Sequence, residues 1–109
     1  NGALIVQLVS NLVHNSFDAV RTEKEKWVRV EFSEDKDSVY VSVTDSGNGI
    51  PIKIRSRIFD PFFTTKPEGQ GTGLGLSLAT SIAAHHHGCL RLDTFSPRTR
   101  FVLQLPKTR

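Results

Sequence analysis

Three polar residues at four-residue steps, Gln7, Asn11 and Asn15, lie beside a line of apolar residues near the start of the chain. Amides on the margin of an apolar face need hydrogen-bond partners, and capping a neighbouring loop or backbone would supply them. A divalent cation would also serve. Mg²⁺ takes hard oxygen ligands, keeps several waters and often accepts only one or two protein oxygens alongside substrate phosphates, so the carbonyl of Asn15 can suffice. A second group, Asp45-Ser46-Gly47-Asn48-Gly49, places a carboxylate before two glycines that permit positive φ and close ligand approach. By itself it reads equally well as a plain turn. If a purine sits there, ionised Asp45 can only accept, so it would take a hydrogen bond from the exocyclic amine of adenine and reject the carbonyl of guanine.

Two further groups follow. Gly71-Thr72-Gly73-Leu74-Gly75-Leu76 runs from a loop into helical periodicity, where bare backbone N–H groups and the positive end of a helix dipole favour phosphate. Its strictly alternating glycines come after a long loop rather than after a first strand, and no Gly-Lys-Ser/Thr ends it. It is therefore neither a dinucleotide fingerprint nor a P-loop. Between the acidic turn and this loop lies Ile58-Phe59-Asp60-Pro61-Phe62-Phe63-Thr64-Thr65-Lys66. Its three phenylalanines suit a core, or alternatively the anchor of a closing lid, with Lys66 reaching phosphates and residues 67–70 as the flexible part.

These groups need elements to hold them. Leu4, Leu8, Leu12 and Ala19 keep near-helical spacing and predict a first helix. Trp27–Phe32 and Val39–Thr44 alternate apolar with polar residues across the acidic turn Glu34–Asp37 and predict an antiparallel hairpin. One or two helical turns are expected up to Phe59, and residues 60–73 read as an irregular, mobile loop. Leu74, Leu78 and Ile82 beside Ala79 and Ala83 predict a second helix stopping at Gly88. Two strands, Leu90–Thr94 and Phe101–Leu105, follow with Pro97 in the turn between them. Helix, hairpin, loop, helix, hairpin is the order of an α+β two-layer sandwich, a mostly antiparallel sheet with helices on one face.

Bulk properties exclude several classes. At 109 residues the chain has the length of one domain, spanning 1–109. No apolar run approaches the roughly 18 residues of a membrane span, so no membrane contact is expected. A single cysteine, Cys89, permits no internal disulfide and fits a reducing, cytoplasmic compartment. The net charge of +3 is spread among acids, as in Arg21–Lys26, rather than gathered into a stripe, which argues against nucleic acid as a partner.

The four groups, in this order, resemble the histidine-kinase branch of the superfamily that also holds gyrase, Hsp90 and the mismatch-repair ATPases, over nearly the whole chain. Gln7–Ser16 looks like its N box, Asp45–Gly49 like the G1 box, Phe59–Phe63 like the F box and Gly71–Leu76 like the G2 box. "PFFTTK" and "GTGLGLSLA" are similar to the nitrogen-regulator type of sensor kinase, a subgroup with a short lid.

The resemblance implies the Bergerat ATP-binding fold and binding of ATP with Mg²⁺. Asn15 would ligate the metal and Asn11, Asp45, Gly47 and Gly49 would line the nucleotide site, with Asp45 holding adenine. Lys66 and the Gly71, Thr72, Gly73, Leu74 and Gly75 loop would take the phosphates. It also implies a kinase rather than an ATPase. The hydrolytic relatives carry a glutamate one helical turn before the metal asparagine, whereas Asn11 stands there and an amide is no general base.

By the same resemblance the phosphate acceptor is a histidine on an upstream helical hairpin that dimerises the full protein and is outside this fragment, and a response regulator receives the phosphate next. His14, His85, His86 and His87 lack the flanking residues of the family's acceptor box; the run of three suits a helix C-terminus. The alternative is a module of the same fold that senses nucleotide without transferring phosphate. Three departures from the pattern stand out. Cys89 occupies the place of the usual second glycine after the helix histidine, and Asp18 that of a basic residue, leaving Arg21 or Lys66 to supply charge. The chain also starts too late to include the strand that usually precedes the first helix, which would leave a sheet edge exposed.

Overall fold

The computed structural model describes residues 2–60 and 75–107. In chain order its elements are α1 (Gly2–Val20), β1 (Val28–Glu34), β2 (Ser38–Asp45), α2 (Ile52–Arg55), α3 (Gly75–His85), β3 (Cys89–Leu92) and β4 (Thr99–Pro106). The strands form one sheet in the order β1-β2-β4-β3, and every ladder is antiparallel. Helices pack on one face of it, giving the α+β two-layer arrangement that the element order predicts.

Side-chain alternation decides which residues meet the helices. Val39, Val41, Val43 and Asp45 share one face of β2; Thr99, Phe101, Leu103 and Leu105 share the same face of β4, and the register pairs Asp45 with Thr99 and Val43 with Phe101. Leu8 and Leu12 of α1 and Ala79, Ile82 and Ala83 of α3 close over Val41, Val43, Leu90, Phe101 and Leu103. Burying each large apolar side chain here contributes about 1.5–3 kcal/mol. The opposite face carries Ser38, Ser42, Thr44, Arg91, Arg100 and Gln104, with Arg91 donating to Gln104 at 3.1 Å and Arg100 to Asp93 at 2.7 Å.

The structure differs from the sequence expectations at several ends. The buried line of α1 runs Leu8, Leu12, Ser16, Val20, whereas Ala19 is exposed, because a strict four-residue step drifts only slowly around the helix and Val20 falls under it. Both hairpin strands are longer than their apolar cores. The β1–β2 turn is fixed by Asp35, whose carboxylate accepts from the backbone N–H of Asp37 (2.9 Å) and Ser38 (2.8 Å) and from the Tyr40 hydroxyl (2.7 Å). The Tyr40 hydroxyl, followed by the two N–H donors, holds the Asp35 carboxyl below the usual range, and the same contact pushes the Tyr40 phenol up.

Gly88 is expected to stop the second helix, but α3 ends at His85 and the left-handed residue is His87, at φ 62. The N–H of Gly88 then reaches back to the Ala83 carbonyl at 2.8 Å and that of His87 to Ala84 at 3.0 Å, a Schellman-type closure shifted by one residue. Gly88 is required for a different reason. A Cβ there would run into the Gln104 carbonyl oxygen and stand 2.8 Å from Leu105 Cδ2. Cys89 already lies in β3, paired with Gln104, where a second glycine has no task.

Two substitutions should separate these roles. Gly88→Ala is expected to destabilise the fold by roughly 1–3 kcal/mol through overpacking against β4. His87→Gly, relieving a side chain at positive φ, is expected to be neutral or to stabilise by up to about 1 kcal/mol. Urea unfolding of both variants measures the difference, and equal effects would contradict this division.

Candidate functional site

The site is built around the end of β2. Asp45 is the last residue of that strand and retains only 1% of its accessible surface. It lies on the helix side of the sheet, under α1, in a row of otherwise apolar neighbours. Burial is the dominant influence on its carboxyl and pushes its pKa up. Against this, the Gly47 N–H donates to Oδ1 at 2.7 Å, and the Ser16 and Thr99 hydroxyls hydrogen-bond to the same carboxylate. These donors arrive from the turn, from α1 and from β4.

The turn after Asp45 is held from behind. The Ser46 N–H donates to the Trp27 carbonyl at 3.0 Å, the Ser46 hydroxyl donates to the Glu25 carbonyl at 2.8 Å, and the Trp27 N–H donates back to that hydroxyl at 3.1 Å. Arg98 donates to the Ser46 carbonyl at 2.6 Å, pairs with Glu25 at 3.3 Å and lies over the Trp27 ring at 5.8 Å. Gly47 and Gly49 have different reasons to lack a side chain. A Cβ on Gly47 would stand 2.8 Å from Asp45 Oδ1 and 3.2 Å from Thr99 Oγ1, whereas Gly49 has open space around it but sits at φ +92. Its N–H donates to Thr99 Oγ1 at 3.0 Å.

Asn11 and Asn15 are both half-buried on α1, and Asn15 immediately precedes the buried Ser16 that meets Asp45. The amide that could serve a metal and the carboxylate that could serve a base therefore belong to one continuous neighbourhood. Gln7, the third member of the polar stripe, is exposed. Phe59 is half-buried and packs edge-on against Phe101, with ring centroids 6.1 Å apart, so this phenylalanine belongs to the core's margin. Phe62, Phe63, Lys66, Gly71, Thr72, Gly73 and Leu74 lie outside the described residues; Gly75 opens α3.

The donor set fits an adenine nucleotide at the base end. A desolvated, acceptor-only carboxylate beside two side-chain-free backbone positions suits an exocyclic amine, and Asn15 offers the kind of hard oxygen that Mg²⁺ accepts. Ser16, Thr99 and Arg98 are participants the motif reading missed. A signal for two of them exists in the sequence: Ser16 is the polar member of the line Leu8, Leu12, Ser16, Val20, and Thr99 extends the period-two row Phe101, Leu103, Leu105 backwards.

Comparison with known proteins agrees with this geometry. The family model described as histidine kinase-, DNA gyrase B- and HSP90-like ATPase matches residues 1–109. Sporulation kinase A of Bacillus subtilis is 37% identical over 102 residues, covering 93% of this chain and 16% of that protein. The sensory histidine kinase/phosphatase NtrB of Azospirillum brasilense is 48% identical over 66 residues, covering 61% of this chain and 16% of that protein. Among solved structures, a nucleotide-free form of the catalytic domain of histidine kinase ThkA superposes with a TM-score of 0.83 at 34% identity, covering all of this chain and 71% of that one. The chain thus spans about a sixth of the length of these two relatives.

The buried carboxylate leaves a mark on stability. Because burial raises the Asp45 carboxyl above its ordinary 3.8, folding favours the protonated form. The associated stability is present at acid pH and is lost as pH rises from the ordinary value through the raised one. Asp45→Asn, which cannot ionise, is expected to gain stability relative to the parent on going from pH 4 to pH 7, as read by urea unfolding at both. An identical difference at the two pH values would show that Asp45 carries no burial cost.

Proposed function

Because the chain belongs to the histidine kinase-, DNA gyrase B- and HSP90-like ATPase family, we propose that it binds Mg²⁺·ATP and presents the γ-phosphoryl group to a histidine on the dimerisation domain of its own polypeptide. Its similarity to named sensor histidine kinases makes it an ATP-binding domain of the sensor-kinase type. The identity with NtrB supports the nitrogen-regulator subgroup loosely, since it extends over 61% of the chain.

The observation that carries this reading is the Asp45 carboxylate, nearly solvent-free and bracketed by Gly47 and Gly49. In it Asp45 accepts from the adenine amine, and the Gly47 to Gly49 turn lets the base approach the backbone. Asn15 holds the metal through its side-chain oxygen. Lys66 and the residues from Gly71 to Gly75 take the phosphate tail at the start of α3, where unpaired N–H groups and the helix dipole favour anions. Mg²⁺, when bound, bridges phosphate oxygens and neutralises charge that develops during transfer. Asn11 lines the pocket without acting as a base, so water is not activated and the γ-phosphoryl group is kept for transfer. The histidine acceptor, the homodimer it belongs to and the response regulator that takes phosphate from it complete the reading; a two-component signal relay is the setting. The whole 1–109 segment acts as a single catalytic domain.

Calorimetry with ATP, ADP and GTP, with and without Mg²⁺, tests the binding half. ATP and ADP should bind and GTP should not. Asp45→Asn should weaken ADP by about ten- to a hundredfold, the range of a lost hydrogen bond to a charged group. Asn15→Ala should abolish the benefit of Mg²⁺ while leaving metal-free binding near that of the parent. GTP binding as tight as ATP binding would sink the assignment of Asp45.

Labelled ATP tests the transfer half. The isolated chain is expected to gain no label and to release phosphate at near-background rates, whereas an added upstream segment carrying the histidine should acquire acid-labile phosphate. Absence of label on that segment despite ATP binding would favour a nucleotide-sensing module.

A further inference from the structure

We propose that Ser16 is a positioning residue for the base-recognising carboxylate: from the helix turn that also carries Asn15, its hydroxyl hydrogen-bonds to Asp45 and sets the orientation in which that carboxylate meets a ligand. The inference rests on the nucleotide-binding reading above and adds to it a residue that lies outside the recognised motif roles.

Three observations support it. Ser16 is the polar member of the buried α1 line Leu8, Leu12, Ser16, Val20 and keeps 3% of its surface, in a place where an apolar side chain would otherwise be expected. A buried hydroxyl needs a partner, and Asp45, 1% exposed, provides one. The remaining contacts of the carboxylate come from the neighbouring strand and from its own turn: the Thr99 hydroxyl from β4, and the Gly47 N–H at 2.7 Å on Oδ1. Ser16 is therefore its contact from the helical layer, the layer that covers the pocket. Because Asn15 and Ser16 are consecutive, a single rigid element registers the metal-binding amide against the base-binding acid.

The surroundings make the effect readable. Ser16 from α1, Thr99 from β4, Gly47 from the turn and Val28 in register from β1 are all uncharged, and no charged side chain among the described residues bears on the Asp45 carboxyl. Hydrogen bonds to the ionised form oppose burial, so removing one must move the carboxyl further up.

The test is an NMR titration of the Asp45 side-chain carboxyl in the parent, Ser16→Ala and Ser16→Thr, together with ADP affinity from pH 5 to pH 8. Ser16→Ala is expected to raise the carboxyl midpoint by about half to one pH unit. It should move the acid limb of the affinity profile by the same amount while thermal unfolding stays near that of the parent. Ser16→Thr keeps the hydroxyl and should restore the parent midpoint. A merely structural role would alter stability without moving the titration. An unchanged midpoint in Ser16→Ala overturns the proposal, and the titration decides this without nucleotide. Failure of the parent to bind ADP would instead overturn the binding reading, leaving the Ser16 result to stand on the apo protein.

Discussion

Removing a carboxylate from water is the constraint on which the rest of this structure depends. An isolated buried charge costs several kcal/mol even after relaxation, so a side chain as enclosed as Asp45 persists only if the surroundings return much of its lost hydration. Here that return comes from the Gly47 N–H and from the Ser16 and Thr99 hydroxyls, one donor each from the turn, the helical layer and the adjacent strand. The three donors converge only when α1 lies across the sheet at one height and β4 pairs with β2 in one register. A shift of either strand by one residue would turn Thr99 to the outer face and replace it with Arg98 or Arg100. The fold is thus specified partly by a polar point contact as well as by its apolar core.

The same contact shapes the turn that follows. Asp45 Oδ1 occupies the space a Gly47 side chain would need, so glycine at that position is a steric consequence of how the carboxylate is satisfied. Thr99 works in two directions, meeting Asp45 and accepting from the Gly49 N–H at 3.0 Å, which pins the positive-φ residue of the turn to β4. Behind it, Ser46, Trp27, Glu25 and Arg98 form a closed set of hydrogen bonds and one ion pair. The exposed ion pair contributes little by itself. Its arginine matters because the same guanidinium also holds a backbone carbonyl of the turn. The carboxylate is therefore presented on a preorganised frame, which lowers the ordering cost of binding.

Periodicity made most of this architecture legible. The hairpin, both longer helices and the final pair of strands follow from apolar spacing, and Asp45 with its glycines is conspicuous as turn chemistry at a strand end. What escaped were positions where an apolar line carries a polar residue. Ser16 and Thr99 each continue a buried row, at four-residue and two-residue spacing, yet neither is apolar, and reading the rows by hydrophobicity ends them one position early. Ala19 was taken into the buried line for the related reason that small apolar residues are uninformative about facing. At the end of α3, glycine suggested the left-handed position, but His87 takes it. Gly88 is held by contact with β4, a tertiary cause with no local signature.

These misses share a physical origin that points back to the site. A polar residue in an apolar row carries a desolvation cost that sequence neighbours cannot relieve, so its partner must be distant in sequence; Ser16 and Thr99 find theirs 29 and 54 positions away, in the same Asp45. Two independent rows interrupted toward one carboxylate are stronger evidence of a built site than either interruption alone, since core packing gains nothing from them. Placing one of the interruptions directly after Asn15 has a further consequence. A helix is stiff over the rise between consecutive residues, about 1.5 Å. The distance from the amide to the acid is then set by how α1 seats on β2, through Leu8 and Leu12 against Val41 and Val43, so that core packing and ligand geometry are adjusted by the same contact.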